Sequence, residues 1–152
     1  MTEKSLTFKK GTGNVKHNNR EETFERDNID ISRKENNITI VKEDLKELYK
    51  NEFSQATEHY NNKPKKNGKK KTKKEQKGDY YKEIKNNKNG QKLCYELVVQ
   101  IGDMNDTNCS SNPTDEIEIL KKYAEDFQER YPNLKVFNAV IHLDEETPHL
   151  HL

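Results

Sequence analysis

The last eleven residues of the chain concentrate side chains that bind metal ions. They read His142-Leu-Asp-Glu-Glu-Thr-Pro-His-Leu-His-Leu152 and contain three of the five histidines of the chain. Successive side chains of a β-strand point to opposite faces, so His149 and His151 would share one face. Three neutral imidazoles that leave coordination positions open suit a divalent metal that acts on a substrate. The segment therefore predicts a metal site.

The third ligand of this site depends on strand register. His142 ends an apolar run that begins at Val136, and residues 143–148 would form the loop to the next strand. If His142 lies directly opposite His149 in an antiparallel pair, all three imidazoles point to one place. A slip of one residue would turn His142 to the other face. Surface histidines near a fraying terminus are the alternative, but three histidines so close together favour a ligand cluster.

The same segment resembles a known protein family. Its pattern His-x-Asp-Glu-x-x-Pro-His-x-His over residues 142–151 is similar to the metal-binding signature of the Mob/Pre plasmid mobilisation and recombination proteins. These are MobV-type relaxases within the HUH endonuclease superfamily. The resemblance implies an Mn²⁺ or Mg²⁺ ion bound by His142, His149 and His151. Glu145 would have a supporting catalytic role, orienting a histidine or joining the metal sphere, and Asp144 is a weaker candidate.

A second similarity lies near the other end of the chain, in His17-Asn-Asn-Arg20. By composition this segment is a polar loop ahead of a short helix. Beside the C-terminal cluster, it resembles the His-Asn-x-Arg motif of the same family, in which the histidine is the nucleophile that forms a phosphoramidate bond with DNA. The resemblance implies that His17 is the nucleophile and that Arg20 contacts a phosphate or orients a neighbour. Asn18 is then a candidate DNA contact.

A third segment, residues 28–33 with the two asparagines that follow at 36 and 37, resembles the family segment Asn-x-Asp-Ile…Ser-Arg…Asn-Tyr. It departs from the family at Ile38, where the family usually has tyrosine. Arg33 would hold a DNA phosphate, and Asp30 would accept a hydrogen bond from an imidazole or a guanidinium. A solvated turn is the alternative interpretation, and the role of Asn37 stays open.

Composition limits the size of the core. Of the 152 residues, 29% are hydrophobic and 36% are charged, which predicts a small core with long solvated segments. By length the chain is one domain, and we expect a relaxase domain over residues 1–152. Because the sequence stops within an apolar strand-like segment, we expect a fragment of a longer protein. The missing C-terminal part would be the place for any oligomer contact.

Several classes of protein are excluded by what the sequence does not contain. No apolar run is long enough to cross a membrane, and the first residues are not a signal peptide, so we expect a cytoplasmic protein of a bacterium. The two cysteines, Cys94 and Cys109, are too few for a disulfide framework or a zinc site.

The net charge of +1 hides an uneven distribution. Residues 51–100 carry 13 basic and 6 acidic side chains, whereas residues 101–152 carry 4 and 11. An acidic region around the histidines favours a cation, and a basic region favours an anion such as nucleic acid.

Nine of the 13 basic residues of the region 51–100 lie in residues 63–78, which are rich in lysine and almost free of apolar side chains. Such a segment gains too little from burial to offset the entropy of ordering, so we expect a mobile insertion. Its candidates for contact with DNA phosphates are Lys69, Lys70 and Lys71. A plain solvated linker is the alternative interpretation.

Hydrophobic periodicity predicts the elements that position these residues. Helices are predicted over residues 42–60, 79–86 and 114–131, and strands, besides that of His149 and His151, over residues 5–9, 37–41, 92–101 and 135–143. Two of the joins are too short for crossover connections, which indicates an α+β domain with a mainly antiparallel sheet and helices packed on it. The HUH resemblance implies the same fold, with the metal-binding histidines on a central strand.

Three of these elements carry further expectations. Residues 92–101 form the strongest strand, and their near-continuous apolar run predicts a central strand covered on both faces. Thr114 is predicted to cap the last helix, with acids in its first turn. The first long helix is expected to pack on the sheet through an apolar stripe of Leu45, Leu48, Tyr49, Phe53 and Ala56.

Taken together, the resemblances imply a DNA-nicking relaxase. It would cut one strand at a plasmid transfer origin, with the single-stranded substrate held by basic groups and aromatic stacking. Attack by His17 would leave a 5′-phosphoryl-histidine and a free 3′-hydroxyl, and the bond could be reversed to rejoin strands. Tyr80 and Tyr81 are rival nucleophiles, because some HUH enzymes use paired tyrosines. Tyrosines at the edge of a linker more often pack or stack.

Two other classes of function stay open at this point. His142 and Asp144 with a distant histidine fit the two-histidine, one-carboxylate pattern of non-haem iron oxygenases, although the chain lacks the many strands of their barrel. A non-catalytic DNA-binding fragment is the other alternative, because a truncated chain would lack part of a catalytic apparatus.

Overall fold

A computed structural model of the protein describes residues 3–21 and 28–152. The chain forms two compact units: the first contains Tyr95–Leu152 and the described residues up to Lys42, and the second is Glu43–Cys94. None of the described helices has both the length and the apolar character that a membrane span requires.

The described part of the first unit contains one antiparallel sheet. Its strands are β1 (Leu6–Lys10), β2 (Ile38–Lys42), β3 (Leu97–Ile101), β4 (Asn138–His142) and β5 (His149–His151). They lie in the order β1-β3-β5-β4-β2, and every neighbouring pair is antiparallel. The predicted α+β fold with a mainly antiparallel sheet is confirmed. Two of the three predicted metal ligands lie on the central strand, and the third lies on its neighbour.

The helices and short turns complete the structure. The α-helices are α1 (Val15–Asn18), α2 (Leu45–Asn62), α3 (Tyr80–Lys85) and α4 (Thr114–Arg130). Two 3₁₀ turns span Ile31–Asn36 and Cys109–Ser111.

One row of the sheet carries the core. Val99, Leu150 and Ile141 are paired across three neighbouring strands and are almost fully buried. They form one cluster with Leu120 and Ala124 of α4, so this helix covers their face of the sheet. Adjacent positions on a strand point to opposite faces, so the histidines on either side of Leu150 point away from α4. The apolar row therefore determines the face on which the histidines lie.

Two predictions about the first unit are wrong in detail. The strand expected over residues 92–101 begins only at Leu97 and lies between β1 and β5, so β5 is the central strand. Thr114 is the first residue of α4 rather than its cap, because Pro113 occupies the cap position without a side-chain hydrogen bond. Asp115 and Glu116 in the first turn still interact favourably with the helix dipole.

In the second unit, α2 and α3 pack through aromatic side chains. The ring centroids of Phe53 and Tyr80 are 4.8 Å apart, and those of Tyr49 and Tyr81 are 5.6 Å apart. The rings of the α2 stripe contact the tyrosines of α3 within this unit, and the expectation that the stripe packs on the sheet stays a prediction. Tyr80 and Tyr81 therefore pack against aromatic rings of α2 in this unit.

Candidate metal centre and nucleophile

The antiparallel pairing places His142 directly opposite His149, so the predicted register is confirmed. The ring centroids of these two residues are 5.3 Å apart, and His151 lies 4.4 Å from His142 and 4.9 Å from His149. One ring nitrogen from each histidine lies within 4.8 Å of the other two. The three side chains could therefore hold one metal ion.

Hydrogen bonds determine which ring nitrogens carry lone pairs. Nδ1 of His149 lies 2.8 Å from the carbonyl oxygen of Thr147, and Nδ1 of His151 lies 2.6 Å from Oε1 of Glu96. Carbonyl and carboxylate oxygens only accept, so both Nδ1 atoms donate and both lone pairs lie on Nε2. Nε2 of His151 is buried without a hydrogen-bond partner among the described residues. A buried lone pair beside two other imidazoles fits a divalent metal.

His142 uses both of its ring nitrogens within the protein. Its Nε2 lies 2.7 Å from the carbonyl oxygen of Asn18, and its Nδ1 lies 3.1 Å from the guanidinium of Arg20. A carbonyl only accepts and a guanidinium only donates, so the proton is on Nε2 and the lone pair is on Nδ1. His142 would give up one of these two partners when it binds a metal.

Electrostatics around the cluster favour a cation. Burial, and then the neighbouring His151, lower the pKa of His149, which keeps this imidazole in the neutral form that binds metals. Burial opposes ionisation of Glu145, but the neighbouring His142, His149 and Arg20 outweigh it and hold the pKa of Glu145 well below its usual value. A carboxylate therefore lies next to the imidazoles.

His17 lies beside this cluster although it is far away in the sequence. Helix α1 carries it, and Asn14 caps that helix by accepting a hydrogen bond from the backbone N–H of His17 at 3.1 Å. The ring centroids of His17 and His142 are 6.2 Å apart. The structure thus brings the predicted nucleophile to the predicted metal ligands, which the sequence pattern left open.

Arg20 connects His17 to the acidic side chains of the site. Its Nη1 lies 3.2 Å from Nε2 of His17. Nε and Nη2 donate to the two oxygens of Asp144 at 2.8 and 2.7 Å, and Nη2 also donates to Glu145 at 2.7 Å. Arg20 holds a left-handed φ of 53°, which these contacts stabilise. Its guanidinium is committed to carboxylates, which supports the predicted orienting role rather than contact with a phosphate.

Asn37 holds the turn that follows β4. Its Oδ1 accepts hydrogen bonds from the backbone N–H groups of Leu143 and Asp144 at 2.7 and 3.2 Å. Its Nδ2 donates to Oδ2 of Asp144 at 2.8 Å. Burial opposes ionisation of Asp144, but Arg20 and Asn37 outweigh it and lower the pKa of this carboxyl. Asp144 is therefore an anchor of the turn, and sequence reasoning had no signal for this pairing.

Two predicted DNA contacts are used inside the protein. Asn18 is 5% exposed and donates its amide to Glu96 at 2.5 Å, and contact of its side chain with DNA stays a prediction. Arg33 donates to Asp30 at 2.8 Å and to the carbonyl oxygen of Glu145 at 3.3 Å. Its Nη1 has no hydrogen-bond partner within the described part of the chain. Arg33 therefore supports the turn of Glu145, and its contact with a DNA phosphate stays a prediction.

The lysines of residues 63–78 differ in what they contact. The ammonium of Lys71 donates to the carbonyl oxygens of Tyr60 and Lys63 and lies 4.4 Å from the ring centroid of Tyr60. The ammonium of Lys71 is therefore engaged within the protein, and its contact with DNA stays a prediction. Lys69 and Lys70 are exposed, and their ammonium groups have no partner in the part of the chain that the structure describes. They stay candidates for phosphate contact, and the mobility of the segment stays a prediction.

Comparison with known proteins places these observations in context. Residues 14–152 match the family model Mob_Pre, described as plasmid recombination enzyme. Curated protein sequences contain no match. Two similar solved structures are Mn-bound crystal structures of the MobM relaxase domain (MOBV; Mob_Pre) with oriT DNA of plasmid pMV158, one at pH 5.5 and one at pH 6.8 with a 3′ thiophosphate. The alignment with each structure has 21% sequence identity and covers 99% of this chain and 68% of the MobM chain. The TM-score of 0.54 in both cases indicates a similar fold.

Proposed function

The chain belongs to the Mob/Pre family of plasmid recombination enzymes, and we propose that it nicks and rejoins one DNA strand at a plasmid transfer origin. The observation that carries the proposal is the position of His17, whose ring centroid lies 6.2 Å from that of His142 in the histidine cluster. A nucleophile beside a metal centre is the arrangement that phosphoryl transfer from DNA to protein requires.

In this proposal the metal ligands are His142, His149 and His151. The MobM relaxase domain, which has the same fold, was crystallised with Mn bound, and we propose Mn²⁺ or Mg²⁺ for this chain. A divalent ion would supply Lewis-acid polarisation of a phosphate oxygen. Glu145 would orient the site, because it accepts a hydrogen bond from Arg20 and its Oε2 lies 3.9 Å from Nε2 of His149.

The lone pair for the attack would come from Nε2 of His17. Arg20 donates to this nitrogen, so the ring proton lies on Nδ1 and Nε2 carries the lone pair. During the attack this hydrogen bond opens, and Asp144 and Glu145 retain the guanidinium. A bond forms between Nε2 and phosphorus, and the bond from phosphorus to the 3′ oxygen breaks. His17 loses its Nδ1 proton as the new bond forms, the 3′ oxygen takes up a proton, and the phosphoramidate keeps the energy needed for rejoining.

The substrate in this proposal is single-stranded DNA, and its phosphates are the groups that the basic side chains recognise. Lys69 and Lys70 are exposed on the second unit, and Nη1 of Arg33 in the first unit is buried without a hydrogen-bond partner among the described residues. Contacts of this kind contribute affinity that falls with salt. The protein would act in the bacterial cytoplasm, where a plasmid is located.

The rival interpretations have less support. An iron oxygenase would need Asp144 as a ligand, but this carboxylate is hydrogen-bonded by Arg20 and Asn37, and the described sheet is open rather than a barrel. Tyr80 and Tyr81 are engaged in packing with α2.

The test is formation of a covalent protein–DNA adduct. Wild type, His17→Ala and a Tyr80→Phe/Tyr81→Phe double variant would be incubated with Mn²⁺ and labelled single-stranded DNA, both a random-sequence library and an oligonucleotide of the pMV158 origin. We expect an acid-labile adduct in wild type and in the tyrosine variant, and none in His17→Ala. An acid-stable adduct that the tyrosine variant fails to form would show that the nucleophile is Tyr80 or Tyr81 rather than His17. Salt-sensitive DNA binding without any adduct would indicate a non-catalytic DNA-binding fragment.

A further inference from the structure

Glu96 is a buried carboxylate that no sequence pattern singled out. It precedes β3, and its side chain is 6% exposed. One oxygen accepts a hydrogen bond from the backbone N–H of Gly13 at 2.7 Å. The other lies 2.5 Å from Nδ2 of Asn18 and 2.6 Å from Nδ1 of His151. One carboxylate therefore joins residues on both sides of His17 to a histidine of the cluster.

Gly11 leaves the space that this carboxylate occupies. Its backbone N–H donates to the carbonyl oxygen of Glu96 at 3.0 Å. A Cβ atom at position 11 would lie far inside van der Waals contact with the side-chain carboxylate of Glu96. The φ of Gly11 is not positive, so backbone conformation does not demand glycine here. Glycine is required here because its backbone approaches the side chain of Glu96 too closely for a Cβ atom.

The N–H groups around Glu96 determine the direction of its contact with His151. The backbone N–H of Gly13 donates to one carboxylate oxygen and the side-chain amide of Asn18 donates to the other, so both oxygens of Glu96 accept hydrogen bonds. The oxygen that accepts from Asn18 also faces Nδ1 of His151 at 2.6 Å, so Nδ1 of His151 donates to it. The lone pair of His151 is then on Nε2, the buried nitrogen that has no hydrogen-bond partner among the described residues.

We propose that Glu96 is a positioning residue that fixes the tautomer of His151 and ties the segment carrying His17 to the histidine cluster. The role rests on the proposed function, because it concerns the same site. A carboxylate behind a ligand imidazole orients the ring and raises its basicity. Here the same carboxylate also holds Gly13 and Asn18, so the placement of the nucleophile and that of a ligand depend on one side chain.

The first arm of the test needs neither metal nor DNA. Side-chain ¹⁵N NMR of the metal-free protein reports which nitrogen of His151 is protonated. We expect Nδ1–H in wild type. Glu96→Gln introduces an amide that can donate to Nδ1, so we expect the proton of His151 to move to Nε2 in part or completely. The control is Glu116→Gln, which removes a carboxylate paired with Lys4 in the same unit. An unchanged tautomer in folded Glu96→Gln would overturn the proposal.

The second arm measures Mn²⁺ affinity by calorimetry. We expect Glu96→Gln to bind Mn²⁺ about 10–100-fold more weakly, since such outer partners of ligand histidines have effects of this size. Glu116→Gln should stay within about twofold. Gly11→Ala should weaken Mn²⁺ binding as well, because its methyl group displaces the carboxylate of Glu96. This second variant tests the proposal if Glu96→Gln fails to fold.

A double-mutant cycle then separates positioning from general damage. In a Glu96→Ala background, Gly11→Ala should add little to the loss of affinity, because the carboxylate it would displace is gone. If the two substitutions weakened Mn²⁺ binding by independent factors that multiply in the double variant, the proposal would be overturned. If wild type bound no Mn²⁺, the proposed metal site would fail, and the NMR arm would still decide the role of Glu96.

Discussion

The contacts around the histidine cluster join distant parts of the sequence, whereas those of the lysine-rich segment are local. Arg20 pairs with Asp144 across 124 positions, and Asn37 reaches the same carboxylate across 107. In the second unit, Lys71 reaches Tyr60 across 11 positions, and Asn61 pairs with Lys77 across 16. The first network is largely buried and the second is exposed.

This difference indicates two ways of making a functional surface. In the histidine site most polar side chains have defined partners, so removing one leaves another buried without compensation. In the lysine-rich segment the exposed ammonium groups act through their number, so each one adds a small, salt-dependent increment. Substitutions should therefore have large and specific effects in the first region and small, nearly additive effects in the second.

The largest effect is expected for Arg20→Ala. This change leaves Asp144, which is fully buried, and Glu145 without the guanidinium that pairs with both. Removal of one partner from a buried ion pair costs about 3–5 kcal/mol, and we expect the free energy of unfolding at pH 7 to fall by about this amount. Urea denaturation followed by circular dichroism measures it.

The control for this prediction is Lys42→Ala, which breaks an exposed pair with Glu21 in the same unit. Exposed pairs contribute about 0–1 kcal/mol, so the control should unfold close to wild type. If both variants lost the same stability, the buried network would have no special energetic weight, and the contrast between the two regions would disappear.

The parts of this site that were predictable from sequence are the parts that depend on local rules. Alternation along a strand put His149 and His151 on one face, and a short loop after His142 was compatible with one register. Glu96 was not predictable, because its partners lie 55 to 83 positions away and no period marks a carboxylate that will be buried. The role of Asn37 stayed open for the same reason, since its partner Asp144 lies 107 positions away.

The lysine run shows a second limit of sequence reading. Nothing in a low-complexity segment distinguishes Lys71 from Lys69 and Lys70. The difference arises from tertiary position: Lys71 reaches the carbonyl oxygen of Tyr60, within the last turn of α2, where backbone carbonyls lack partners inside the helix. The stripe of α2 shows a similar limit, since periodicity reveals an apolar face without revealing that α3 packs against it.

An intermediate effect is expected for Asn37→Ala. The backbone N–H groups of Leu143 and Asp144 and one carboxylate oxygen of Asp144 would each lose a hydrogen bond. Unsatisfied buried groups cost roughly 1–3 kcal/mol, so the free energy of unfolding should fall by that amount in the same urea experiment. The neighbouring Asn36 is exposed, and Asn36→Ala should change stability by less than about 0.5 kcal/mol. Equal losses would show that Asn37 does not anchor the turn.

The smallest effects should separate the lysines from one another. Lys71→Met removes a cation from carbonyls at the end of α2, which should destabilise this end by about 1 kcal/mol. Hydrogen exchange of the last-turn amides of α2 should then become about fivefold faster. Lys69→Gln/Lys70→Gln should leave that exchange unchanged, because both side chains are exposed and unpaired within the described residues.

DNA binding should show the opposite pattern. For single-stranded DNA, each lost phosphate contact changes the slope of log affinity against log salt by about 0.7, so the double variant should reduce the slope by about 1.4. Lys71→Met should leave the slope near that of wild type. If Lys71→Met changed the slope as much as the double variant does, position in the fold would not distinguish these lysines. Each lysine of the segment would then contribute to DNA binding in the same way. The division of roles between Lys71 and its neighbours would then be wrong, even if the segment binds DNA.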